Sequence, residues 1–235
     1  MKAMIPAAGL GTRLRPLTDH RPKALVEVAG RTLLEITLSR LRTFGIHDVI
    51  VNVHHFAGMV VEYLNANGNF GMRIEISREE ALLDTGGGLK KAAWFLEDSD
   101  PFVLHNVDVI SAIDLRRMIQ FHIENQALAT LAVQDRNTSR SLLFDEQLWL
   151  CGRPSEIVRA SKQVEALAFS GIHVISSRLF PMMIEEGAFP IIPAYLRLAA
   201  RGEKILAFRC DEYYWRDLGR PENVRQAAED FEHFT

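Results

Sequence analysis

Residues 2–7, Lys-Ala-Met-Ile-Pro-Ala, form a short, largely apolar run that passes directly into Ala8, Gly9, Leu10, Gly11, Thr12 and Arg13. A run without polar alternation suits a strand buried on both faces of a parallel sheet, and open α/β sheets collect their ligands beyond the C-terminal ends of such strands. Gly9 and Gly11 carry no Cβ, so the backbone there can approach a ligand closely. Thr12, Arg13, Arg15 and Lys23 add a hydroxyl and fixed positive charge, and the stretch reads as a phosphate cradle. It is not a dinucleotide fingerprint, because Leu14 stands where a third glycine would let a helix pack closely. Nor is it a Walker A loop, since no Gly-Lys-Ser/Thr ending follows.

The rest of the chain supplies the layers such a strand needs. Residues 33–44 repeat apolar positions at helical spacing behind Thr32, which can cap them, with Gly45 as the stop. A β-branched run at 48–53, an amphipathic helix at 56–64 and a strand at 72–76 continue a strand, helix, strand rhythm. Residues 79–88, with Asp84-Thr85-Gly86-Gly87-Gly88, are too glycine-rich for regular structure and predict a second ligand-facing loop ahead of a helix at 89–96. A helix starting at Gly88 would itself favour a nearby phosphate. An apolar strand at 101–105 delivers Asn106 and Asp108, and Asp114 caps a helix reaching Asn125.

After a strand at 127–133, short strand-like pieces at 141–144, 148–151 and 167–175 mark a β-rich portion. A helix at 192–201, a strand at 204–208 and a last helix from Pro221 to about His233 complete the chain. The prediction is an α/β fold: a Rossmann-like, mostly parallel twisted sheet flanked by helices, with a small β-rich part. It forms one domain over 1–235, with a first half at 1–135 and a second, more β-rich half at 136–235.

A net charge of −3 over 235 residues argues against a nucleic-acid or membrane binder, so an anionic ligand must be met locally. Cys151 and Cys210 lie far apart with no C-x-x-C or Cys/His cluster, which points to small, partly buried side chains rather than a disulfide or zinc site. Without a signal-peptide core or a membrane-length apolar stretch, a cytoplasmic location is expected, as a monomer or homodimer. His54-His55 invites a metal reading, but adjacent strand-end histidines diverge and no third ligand is near in sequence, which favours a loop or polar-core role.

The pattern G-x-G-T-R-x-x-P followed by Pro22-Lys23 resembles the signature of the sugar-1-phosphate nucleotidyltransferases, and the likeness extends over nearly the whole chain. That resemblance implies transfer of an NMP group from an NTP to a sugar 1-phosphate, with pyrophosphate released and Mg2+ as cofactor. Arg13 would contact the triphosphate, Lys23 would lie near the α-phosphate, and Ala8, Gly9, Gly11 and Thr12 would complete that side. Ala24 replaces a proline that is common after the signature lysine.

Asp108, in Asn106-Val107-Asp108, and Asp217, in Trp215-Arg216-Asp217-Leu218-Gly219, match the family's metal-binding aspartates; a valine stands where a glycine or alanine is usual between Asn106 and Asp108. Asp84 and Gly87 fall in the segment that resembles the family's base reader. Asn106 and Gly171 fall on the sugar side. A Glu-Lys pair that many members use for sugar and phosphate is absent as such from residues 156–162, leaving Lys162 or Arg159 as stand-ins. The compact length is most similar to short bacterial members that make UDP-N-acetylmuramate, with GDP-activated mannose or heptose as alternatives. Two rivals from other classes are weaker. A phosphocholine cytidylyltransferase is disfavoured by the sugar-like segment at 169–174, and a non-catalytic nucleotide-sugar sensor by the intact Arg13, Lys23, Asp108 and Asp217 set.

Overall fold

The computed structural model describes residues 1–230. In chain order the elements are β1 (Lys2–Pro6), β2 (Glu27–Val28), β3 (Arg31–Thr32), α1 (Leu33–Thr43), β4 (Asp48–Val53), α2 (Ala57–Ala66) and β5 (Arg73–Arg78). Then come α3 (Asp84–Lys91), α4 (Ala93–Leu96), β6 (Phe102–His105), β7 (Val109–Ser111), α5 (Leu115–Glu124) and β8 (Ala129–Gln134). The remainder is β9 (Ser141–Phe144), β10 (Leu150–Arg153), β11 (Glu156–Ile157), β12 (Glu165–Ile175), α6 (Ile191–Ala200), β13 (Ile205–Arg209), β14 (Trp215–Asp217) and α7 (Pro221–Glu229). The residues expected to carry the last helix as far as His233 run beyond the described ones.

β6, β1, β4 and β5 are parallel neighbours in one block and β8 and β13 in another. The long strand β12 lies antiparallel to both β6 and β8 and joins the blocks into a ten-stranded sheet. Within this sheet the antiparallel pairs are confined to β12 and the β9–β10–β11 ribbon, which is the β-rich part expected from sequence; two small antiparallel pairs, β2–β3 and β7–β14, lie outside it. Alternate residues of each central strand enter opposite cores. Ala3 and Ile5 of β1, with Val49 and Val51 of β4, pack under α1, α2 and α5, whereas Met4 and Ile50 pack under α3, α4 and α6. This double burial is why the strands read as continuous apolar runs.

The caps read from sequence form. Thr32 Oγ1 accepts the Glu35 amide at 3.1 Å, and Asp114 accepts the amides of Arg116 and Arg117. One expectation fails: the segment from Asp84 to Gly88 is not a loop but the first turns of α3. Helix propensity disfavours three successive glycines, but packing overrides it. A Cβ on Gly86 would lie 2.8 Å from the Phe189 carbonyl oxygen, and the Gly86 and Gly87 amides donate to that oxygen at 2.9 and 3.2 Å. The helix N-terminus at Asp84 is thus tied to the chain before α6, and these amides are not left for a phosphate. Among the described residues no helix is long and apolar enough to cross a membrane.

Candidate active site

Beyond the C-terminal ends of β1, β4, β5 and β6 lie two cavities. The smaller, about 300 Å³, is lined by Ala8, Gly9, Lys23, Asp84, Asn106 and Asp108 among others. The larger, about 720 Å³, opens between β12, the β8–β9 connection and β14, and its lining includes Arg13, Asn106, Arg136, Gly171, Trp215 and Asp217. Asn106 belongs to both.

The first loop is held by its glycines in two different ways. Gly11 has φ +64°, and a Cβ there would sit 2.9 Å from Thr18 Cγ2 and 3.3 Å from Lys23 Cβ; Thr18 Oγ1 donates to the Gly11 carbonyl at 2.8 Å. This glycine folds the loop back so that Lys23 returns to its mouth. A Cβ on Gly9 would meet nothing within 4 Å, so its missing side chain leaves room on the cavity side instead. Thr12 is exposed and, like Gly11, lines neither cavity; Arg15 is exposed and pairs with Asp19 at 3.4 Å.

Lys23 Nζ is ion-paired with Asp108 Oδ2, with both side chains mostly buried. Asp217 is brought beside Asp108 by pairing that no spacing reveals. β14 lies antiparallel to β7 with Asp217 opposite Val109, and the Leu218 amide donates to the Asp108 carbonyl at 2.7 Å. The Gly219 amide donates to Asp217 Oδ1 at 2.8 Å, and a Cβ on Gly219 would lie 2.9 Å from Arg13 Nη2. Arg13 therefore packs on the Gly219 backbone next to Asp217. Among the described residues no three His, Cys, Asp or Glu side chains converge as a metal cluster. Asp108 and Asp217 are brought close through their backbones, Asp108 lining the smaller cavity and Asp217 the larger. Val107 sends its side chain into the core beneath the smaller cavity while still forming part of that cavity's wall.

Two residues that carry no sequence motif, Asn52 and Glu79, brace the smaller cavity. Asn52 Oδ1 accepts the Ala7 amide at 2.8 Å, Asn52 Nδ2 donates to Glu79 Oε1 at 2.5 Å, and Glu79 Oε2 accepts the Leu83 amide at 2.9 Å. Both are buried, at 2% and 5% exposure, so this chain of hydrogen bonds ties the start of the first loop to the start of α3 without help from bulk water. A polar residue inside the β-branched run 48–53 was the available signal.

In the wall of the larger cavity, Gly171 has φ +77° at a register shift in β12; its carbonyl accepts the Asn106 amide at 2.9 Å, and a Cβ there would crowd Asn106 Nδ2 and Val109. Arg136 follows β8. Its guanidinium lies 3.7 Å from the centre of the Trp215 ring, and Nη2 donates to the Phe169 carbonyl at 2.5 Å. Burial lowers its pKa from the usual arginine value, opposed by the charge of Asp217.

Several expected contacts are not brought to the cavities. Lys162 is exposed on the connection after the edge strand β11 and lines neither of them. Arg159 is committed to the buried Asp145 and stacks on Trp149, a structural role. Gly87 is buried against the Gly187 backbone and lies behind the cavity wall that Asp84 and Thr85 form. His54 Nδ1 contacts the Glu79 carbonyl at 2.9 Å and the His55 ring packs tilted against Phe56, in keeping with loop roles. Cys151 and Cys210 are free and buried.

His105, immediately before Asn106, is wholly buried; desolvation, and then the charge of Arg40, hold its pKa down at about 4. His173 on β12 is held at about 3 by burial and by His105. Both imidazoles are neutral supports rather than acids or bases at neutral pH.

Comparison with known proteins agrees with this layout. The profile of the Nucleotidyl transferase family matches residues 2–141. N-acetylmuramate alpha-1-phosphate uridylyltransferase of Caulobacter vibrioides is 34% identical over 238 residues, covering 97% of this chain and 95% of that one. Mannose-1-phosphate guanyltransferase of Yarrowia lipolytica is 32% identical over 95% of this chain, which spans 62% of that protein. Among solved structures, HddC of Yersinia pseudotuberculosis in complex with GMP-PN has the same fold, with a TM-score of 0.78 at 21% identity over 98% of this chain and 99% of that one. A glycine loop returning its lysine to an aspartate, on a sheet whose profile match covers more than half the chain, thus identifies a member of the nucleotidyl transferase family.

Proposed function

We propose that this sugar-1-phosphate nucleotidyltransferase joins UTP to N-acetylmuramate 1-phosphate, giving the UDP-sugar and pyrophosphate. The observation that carries the reading is the pair of adjoining cavities with Asn106 in their common wall. Such a wall lets two anionic substrates meet at one point while each is gripped on its own side. The choice of UTP and N-acetylmuramate rests on the 34% identity to the Caulobacter enzyme across almost the full length of both chains.

In this reading residues 1–135 serve the nucleotide and 136–235 the sugar phosphate. The backbone at Ala8 and Gly9 approaches the triphosphate, and Thr12 stands behind it on the same loop. Asp84 faces the base, Arg13 stabilises the departing pyrophosphate, and Lys23 turns from Asp108 to the α-phosphate. Asn106 and Gly171 hold the sugar.

The attacking oxygen is already anionic, so no side-chain nucleophile or general base is needed; catalysis is positioning and charge stabilisation. Asp108 and Asp217 fit a hard cation such as Mg2+, because two carboxylate groups leave its other positions to phosphate oxygens and water. When bound, that ion screens the phosphates and polarises the α-phosphate. Two unlinked buried thiols and an NTP substrate favour a cytoplasmic setting and a place in cell-wall precursor metabolism.

The test is a grid of pyrophosphate-release assays with UTP, GTP, CTP and dTTP against N-acetylmuramate, mannose, glucose and heptose 1-phosphates in magnesium. Highest kcat/KM for UTP with N-acetylmuramate 1-phosphate supports the proposal. Preference for GTP with mannose 1-phosphate moves it to the guanylyl branch, and no release with any pair removes it.

A further inference from the structure

We infer that Arg136 is the residue that binds the phosphate of the sugar 1-phosphate, from the β8–β9 side of the larger cavity. The inference rests on the sugar-phosphate reading of that cavity. Three features single this arginine out. First, its guanidinium is fixed: the Trp215 ring lies 3.7 Å away on one face, and Nη2 is held by the Phe169 carbonyl. Trp215 is itself anchored through Nε1 to the Ser170 carbonyl at 2.7 Å, so the stacking platform does not drift.

Second, its hydrogen-bonding capacity is unfilled. Nε is buried with no partner, and Nη1, which is not buried, meets no protein acceptor among the described residues. A planar cation with an open N–H edge, already stripped of much of its water, suits a phosphate oxygen.

Third, it is close to the chemistry. It shares the cavity wall with Gly171 and Asp217, and Asp217 is the charge that opposes its desolvation. The other cations do not compete on equal terms. Arg153 is neutralised by Glu156 at 2.8 Å, Lys162 lies outside the cavity, and Arg13 rests on Gly219. Arg140 lines the same cavity, but it is exposed, and among the described residues no ring or carbonyl fixes its guanidinium. Hydroxyls of Thr138, Ser139 and Ser141 on the same connection complete a polar rim for sugar oxygens.

A purely structural arginine, pinning Trp215 and the irregular part of β12, would have different consequences on removal. The experiment is steady-state kinetics of the wild type, Arg136→Lys and Arg136→Ala, with each substrate varied at saturation of the other. A charge-assisted hydrogen bond corresponds to a 10- to 100-fold effect in order of magnitude. Arg136→Ala should raise KM for the sugar 1-phosphate by about that factor. Arg136→Lys should fall between it and the wild type, and KM for the NTP should stay within about twofold.

An unchanged sugar-phosphate KM overturns the assignment, as does a parallel rise of both KM values with a falling unfolding midpoint. Should Arg136→Ala fail to fold, Arg136→Gln and Arg136→Lys carry the same comparison. Calorimetric titration with N-acetylmuramate 1-phosphate and glucose 1-phosphate needs no turnover. Binding weakened 10-fold or more by the substitution supports Arg136 even if no substrate pair reacts, an outcome that would sink only the enzymatic reading. Equal affinity, or no binding to the wild type, overturns Arg136.

Discussion

Glu79→Gln exchanges a carboxylate oxygen for an amide nitrogen, and so reverses the direction of a hydrogen bond buried in the wall of the smaller cavity. Both Glu79 oxygens accept: Oε1 from Asn52 Nδ2 at 2.5 Å and Oε2 from the Leu83 amide at 2.9 Å. The new amide offers an oxygen at only one of the two positions, so either Asn52 or Leu83 then faces an N–H. Flipping Asn52 merely moves the conflict to the Ala7 amide, which now donates to Asn52 Oδ1 at 2.8 Å. One buried donor is left unmet, at a cost of about 1–3 kcal/mol. Glu79→Ala leaves two donors unmet and opens a void, so about 2–5 kcal/mol is expected.

The decisive variant is the double substitution Asn52→Asp with Glu79→Gln. An acid at position 52 accepts from both Ala7 and the new amide, whose oxygen still takes the Leu83 amide, and the sequence of donors and acceptors is whole again. Urea unfolding with linear extrapolation measures each free energy. The double variant should recover most of the loss caused by Glu79→Gln alone. A single variant as stable as the wild type, or losses that simply add in the double variant, would refute the idea that bond direction through Asn52 ties the two loops together.

Three other outcomes are expected. Asp108→Asn and Asp217→Asn should each reduce pyrophosphate release to background while leaving the circular dichroism spectrum unchanged; wild-type rates in either variant would remove that carboxylate from the proposed magnesium site. Lys23→Ala should lower kcat by a factor on the order of 100, since it removes a charge from the reacting phosphates, whereas Lys162→Ala should alter it less than about twofold; the reverse order would refute the cavity assignment. His105 and His122 are held at about 4 and His173 at about 3 by burial, well below 6.5. The unfolded chain takes up protons before the folded one, so stability is full above pH 6.5 and is lost as pH falls toward 4, at ~1 kcal/mol per pH unit for each histidine. Urea midpoints that stay flat between pH 7.5 and 5 would contradict it.

The layered sheet was legible because its strands are buried on both faces, which leaves continuous apolar runs such as residues 2–7 and 101–105. The glycine loop was legible because Gly11 needs positive φ and Gly9 needs open space, two demands that residue type alone expresses. The nearness of Asp217 to Asp108 was drawn from a motif; what produces it is the pairing of β14 with β7, a long-range register that carries no local pattern. The glycines of α3 misled for a related reason. Phe189 and Gly187, remote in sequence, decide that a helix rather than a loop forms there. Arg136 went unread because an arginine after a buried strand looks like any solvated turn residue until Trp215 is folded beneath it.

β12 has a consequence for modularity. It comes late in the chain, yet it closes the free edge of β6 in the first block of parallel strands and that of β8 in the second. A fragment ending at residue 135 would keep the whole glycine loop but expose the β6 edge as a template for pairing with other chains. The β9–β10–β11 ribbon with β12 is therefore not a cassette that can be exchanged by cutting after residue 135. A graft that retunes the proposed acceptor cavity has to preserve residues 172–175 opposite β6 and change only the cavity-facing connection at 136–140.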